Sequence, residues 1–224
     1  MDLDYFNHLG SSVLGFYLVL KLESNYDVHC LFNTPDSSIK SRIKDYLTFP
    51  VTNGHLESPD FFLHQLNLTL LLTSQRFIIV WFSLNNSHRN VLVIDRGTQT
   101  LHYFEPNDVD DTIRNHVIST TLSLDTLKAY RIMEPIRDVH NIFLSSKINQ
   151  SSRNPGYGFC SGCCYFFVLR VLKGLDFTDL KGEDLIDEVM TFTLDVILEH
   201  EEEIKRDIPR DISLIMDTVK QHTL

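Results

Sequence analysis

The sequence predicts an α+β fold. Three observations carry that expectation. An apolar helical stripe begins at Cys160, three β-rich runs joined by short turns lie between Arg76 and Phe104, and helical patterns flank those runs on both sides. In the stripe, Cys160, Cys163, Cys164, Phe167, Val168, Val171 and Leu172 recur at the three- and four-residue spacings of one helix face. Tyr165, Phe166 and Leu169 make the other side apolar as well, so this helix is expected inside the protein. Pro155, Gly156 and Gly158 break helical patterning just before it. Cys160 is thereby placed in the first turn, where unpaired N–H groups and the positive end of the helix dipole favour a thiolate. That is the setting of a nucleophilic cysteine.

The other elements follow in order. Residues 1 to 22 are amphipathic or apolar and read as helix, and His29 to Phe32 as a short strand. Asn33 to Ser38 is a turn in which Asp36 or Ser37 caps a helix through Tyr46. Phe49-Pro50 to Gly54 reads as a loop, and Ser58-Pro59-Asp60 opens a helix through Leu72. Arg76 to Leu84, Asn90 to Asp95 and Gln99 to Phe104 are strands separated by turns at Asn85 to Ser87 and Arg96 to Thr98, an antiparallel meander. Asp108 caps a helix to Lys128, Ala129 to Met133 is a further strand, and Phe143 to Gln150 connects. The Cys160 helix runs to Lys173 and stops at Gly174; helices from Gly182 to about Glu201 and after Pro209 complete the chain. A chain of 224 residues, 43% hydrophobic, is expected to form one domain. It divides into a helical N-terminal subregion (1–74), a core (75–173) and C-terminal helices (174–224).

Charge and composition exclude several classes. A net charge of −10 without a basic run argues against nucleic acid as the main partner. The acidic start, Met1-Asp2-Leu3-Asp4, is not a secretory signal. No apolar run approaches the ~20 residues that span a bilayer, so no membrane insertion is expected, and an intracellular, cytoplasmic location is. Four cysteines, three of them between 160 and 164, do not form a disulfide framework. Zinc at Cys160 and Cys163 would need two more ligands, and no second CxxC or His-x-His pair supplies them, His29 and Cys30 being remote candidates. Cys163 and Cys164 are expected to be packing residues deeper in the helix.

Two further residues complete a constellation. His88 enters the second strand of the meander and Glu105 ends the third. In an antiparallel pair the start of one strand lies beside the end of its neighbour, so both fall at the same end of the hairpin. A carboxylate there holds the imidazole in one tautomer, and the imidazole takes the proton of a thiol delivered by the helix. Asp95 is the alternative acid. It lies a strand-length from His88 and is expected to point away, so it ranks below Glu105.

The order His88-x-x-x-Leu92-Val93-Ile94-Asp95, a strand, an acid, a loop and Gly158-x-Cys160 on a helix resembles the SUMO-protease and adenovirus-protease group of cysteine peptidases. Tyr103-Phe104-Glu105-Pro106 and Gly158-Phe159-Cys160 look most like relatives encoded by large DNA viruses. The resemblance covers the core from about residue 75 to 173. It implies a papain-like core in which Cys160 is the nucleophile, His88 the general base and Glu105 the orienting acid. It also implies a glutamine before the cysteine that helps stabilise the oxyanion; Gln150 is the only glutamine in that loop, and Asn154 lies nearer. Gln150 is preferred on residue type. The implied activity is thiol-dependent hydrolysis of a peptide or isopeptide bond in a protein substrate, either a polyprotein or a ubiquitin-like conjugate. It needs neither metal nor organic cofactor, and takes place in the host cytoplasm if the chain is viral. Arg89 follows the histidine where the group often has Trp, and Phe159-Cys160-Ser161 stands where it often has Asp-Cys-Gly. A second reading keeps the fold without the chemistry: a catalytically inactive relative that binds host proteins through the same cleft. A third is a thiol-rich structural domain.

Overall fold

A computed structural model describes residues 21–23, 25–33, 48–84, 88–106, 111–133, 160–175, 184–192 and 195. Its strands are β1 (Val28–Leu31), β2 (Phe49–Thr52), β3 (His55–Leu56), β4 (Phe77–Leu84), β5 (His88–Asp95), β6 (Thr100–Phe104) and β7 (Arg131–Met133). Its helices include α1 (Pro59–Leu72), α2 (Asp111–Leu122) and α3 (Cys160–Leu172), and residues 184–192 are also helical. The fold is α+β. A meander of β4, β5 and β6 carries a buried helix that starts at the cysteine, which is the arrangement expected of a papain-like core.

The described strands join in one sheet of order β3-β2-β4-β5-β6-β7, with β1 also beside β4. The meander is antiparallel, but β1 and β2 run parallel to β4, and β7 parallel to β6, so the sheet is mixed. All eight residues of β4 are buried, because strands flank it on both edges and helices cover the sheet. Side chains alternate across the sheet. Ile78, Val80, Phe82, Leu92, Ile94, Leu101 and Tyr103 share one face with Phe62, Leu66 and Leu70 of α1 and Val117 and Ile118 of α2. The opposite face carries α3, whose Phe167 ring stacks on Phe104 of β6 at 4.6 Å between centroids.

The segment Phe49 to Gly54, read above as a loop, is instead a strand and the turn that follows it. Phe49 and Val51 alternate inward, Asn53 and Gly54 take φ of 51° and 83°, and β3 returns antiparallel. Two successive positive φ angles make the type I′ hairpin turn that Asn-Gly favours. Pro50 fits because its carbonyl accepts from the Glu57 N–H and its missing donor is tolerated in a short strand. The helix expected from Asp108 to Lys128 is shorter: α2 ends at Leu122, and a single 3₁₀ turn at Asp125–Leu127 follows. β5 opens two residues earlier than Asn90, at His88. The expected helices over residues 1–20, through Tyr46 and after Pro209 lie outside the described residues.

Candidate active site

The site is built where α3 meets the first residues of β5. Cys160 is the first residue of α3 and is 8% exposed. The Cys164 thiol, one turn on, donates to the Arg89 carbonyl at 3.2 Å, and the Arg89 backbone lies near enough to the Cys160 thiol to favour its ionised form. Two thiols on one helix face thus meet the backbone on either side of the Arg89 Cα, the residue that follows His88. Burial pushes the Cys160 thiol above its ordinary range. The N–H groups of Arg89, Ser161 and Cys160 itself and the Arg89 guanidinium pull the other way without overcoming it. The thiolate-favouring groups expected at a helix start are present, and desolvation outweighs them. Cys30, Cys163 and Cys164 are fully enclosed, and burial holds their thiols well above the usual value.

His88 is exposed and pairs with Leu84 across β4. Glu105, directly after β6, is 3% exposed. Continuing the Val91↔Phe104 register sets Glu105 opposite Asn90, two residues from His88. By alternation Glu105, Asn90 and His88 belong to one face of the hairpin, the face that Leu92 and Tyr103 share with α1 and α2, whereas α3 packs on the Phe104 face and meets β5 at the Arg89 backbone. Beside Glu105 the buried Asn90 amide donates to the Tyr103 hydroxyl. Burial and then the Glu105 charge push Tyr103 well above the ordinary tyrosine range, with Cys164 and Arg114 of α2 acting on it as well. Glu105 is therefore buried next to the Asn90–Tyr103 pair, within electrostatic reach of the Tyr103 hydroxyl. Asn90 and Arg114 were not singled out from the sequence, and Arg89, Tyr103 and Cys164 were named there without a task in the site. One signal was available: Asn90 is a polar residue at an inward position of an otherwise apolar strand.

Asp95 lies at the far end of β5, seven residues from His88, about 23 Å along an extended strand. It accepts both Nε (2.9 Å) and Nη2 (2.8 Å) of Arg76, the N–H groups of Gly97 and Thr98, and the Thr98 hydroxyl. Its lone pairs are engaged in closing the β5–β6 turn. Gln150 and Asn154 lie outside the described residues. Among the described residues no three His, Cys, Asp or Glu side chains group to hold a metal, and no helix is long and apolar enough to cross a membrane.

No protein-family model matches the sequence, and no curated protein matches it. Among solved structures the chain is similar to the SUMO protease Ulp1 with its catalytic cysteine oxidised to a sulfonic acid. The likeness covers 84% of this chain and 76% of that one, at 10% identity and a TM-score of 0.42.

Proposed function

We propose that the protein is a thiol hydrolase of peptide or isopeptide bonds. Cys160 attacks the carbonyl and forms a thioester, His88 takes the thiol proton and returns it to the leaving amine, and Glu105 orients His88. Gln150 contributes to oxyanion binding. The reading is supported above all by one observation: the first turn of α3, which begins at Cys160, is bonded through the Cys164 thiol to Arg89, the residue next to His88. The substrate is a viral polyprotein or a ubiquitin-like conjugate, met in the cytoplasm, and the enzyme is of the kind that large DNA viruses encode. A ubiquitin- or SUMO-derived electrophilic probe is expected to label Cys160 and to lose labelling in Cys160→Ala and His88→Ala. Labelling that persists in both variants overturns the reading.

The near-complete burial of Cys160 favours a second reading, an inactive relative that binds proteins through the same cleft. Absence of probe labelling in a folded protein that still captures a ubiquitin-like partner selects it.

A further inference from the structure

A buried carbonyl needs a donor. The ladder between β5 and β6 ends at Val91↔Phe104, and the same register carried two residues on sets Pro106 opposite Arg89. Proline has no N–H to offer. The Arg89 carbonyl takes its hydrogen bond instead from the Cys164 thiol at 3.2 Å. The backbone of the same residue draws the Cys160 thiol toward its ionised form, as a nearby N–H does. Cys160 and Cys164 are one turn apart, so a single helix face meets the two peptide groups that flank the Arg89 Cα. The Arg89 side chain is held as well, through Nη1 to the Thr48 hydroxyl at 3.3 Å. Arg89 is thereby a fixed post against which the first turn of α3 is registered.

We propose that Cys164 is a positioning residue: its thiol, by donating to the Arg89 carbonyl, holds Cys160 at the Arg89 N–H and beside His88. The inference rests on the reading of Cys160 as nucleophile. It assigns a polar task to a cysteine otherwise accounted for by packing alone. Without the donor, the first turn of α3 is free to slide along β5 and the thiolate loses one N–H.

The test is the pH dependence of Cys160 alkylation by iodoacetamide in the full chain, followed by peptide mass spectrometry. Cys164→Ala is expected to move the midpoint upward and to slow alkylation at neutral pH about tenfold, the scale of one lost hydrogen bond. Cys164→Ser keeps a donor and is expected to restore the wild-type midpoint. Equal midpoints in the two variants overturn the proposal, since a packing role does not distinguish hydroxyl from methyl in this way. If Cys164→Ala does not fold, Cys164→Val replaces it in the same comparison. Alkylation reads the thiol without any protein substrate. An intact midpoint difference in a protein that captures a ubiquitin-like partner but that its electrophilic probe does not label therefore selects the inactive relative and leaves the positioning role standing.

Discussion

The two buried acids of the hairpin are expected to separate cleanly by mutation. Burial alone would push the Asp95 carboxyl up; the donors from Arg76, Thr98 and Gly97 more than reverse that and hold it at about 2 against an ordinary 3.8. At about 1.36 kcal/mol per tenfold change in affinity for the proton, that gap corresponds to roughly 2 kcal/mol of folding stability. The Arg76 side chain is 48% exposed, so solvent screening reduces the figure to about 1–2 kcal/mol. The sign follows from a folded value below the unfolded one. The contribution is complete above the unfolded value near 3.8 and is lost as pH falls through about 2. Asp95→Asn is therefore expected to lower the unfolding free energy in urea by about 1–2 kcal/mol at neutral pH. The gap to wild type should narrow steadily below about pH 4. Labelling of Cys160 by the electrophilic probe should be unchanged in Asp95→Asn and slowed in Glu105→Gln. A stability gap that is the same at neutral pH and near pH 2 would refute the electrostatic account. Equal slowing of labelling by the two substitutions would refute the assignment of the acids to opposite ends of the hairpin.

Other outcomes follow from packing and burial. Phe167→Ala removes the ring stacked on Phe104 and is expected to cost about 3–5 kcal/mol in chemical denaturation, with Phe167→Leu milder. Tyr103→Phe leaves the buried Asn90 amide without its hydroxyl acceptor, an expected loss of about 1–3 kcal/mol in the same assay. In the wild type Tyr103 should resist ionisation in an ultraviolet titration until unfolding intervenes. Gly97→Ala would set a Cβ 2.8 Å from Arg76 Nε and 3.2 Å from Asp95 Oδ1. The guanidinium must then withdraw, and the substitution is expected to reproduce most of the Asp95→Asn stability loss.

The meander was legible in the sequence because its strands are long, β-branched and separated by short polar turns. The Cys160 helix was legible from its spacing and from the Pro and Gly residues before it. The hairpin at Phe49 to Leu56 was missed although Asn53-Gly54 is a strong turn signal, because Pro50 reads as a breaker where its strand is only four residues long. The parallel pairings of β1, β2 and β7 leave no local trace, since their partners are distant in sequence. At the site, positions along strands and helices were readable and their consequences for charge were not. A helix start predicts N–H groups around Cys160. It does not reveal that the same thiol is almost wholly withdrawn from water, and withdrawal is the larger effect. The Asn90–Tyr103 pair shows the same limit. Asn90 stands out as a polar residue in an apolar strand, but only the pairing of β5 with β6 shows that Tyr103 is its partner.

The location of the site follows from unequal strand lengths. β5 has eight residues and β6 has five. At the Asp95 end the two are closed together by a four-residue turn, and the acid there is consumed in holding it. At the other end His88, Arg89 and Asn90 project past Phe104, while β4 still supports them through Leu84, Ser83 and Phe82. The overhang is thus rigid on one edge and unpaired with strand on the other. An edge held by β4 on one side is where a helix terminus can be fixed to a sheet by hydrogen bonds and not by apolar contact alone. The cysteines of α3 occupy that edge at Arg89. The same overhang carries His88 into solvent and leaves Glu105 buried at its flank. One sheet edge therefore supplies an accessible imidazole, a sheltered carboxylate and the hydrogen bonds that seat a thiol. This is why the place of the proposed site is set by a short β6 ending before Pro106 more than by any single side chain.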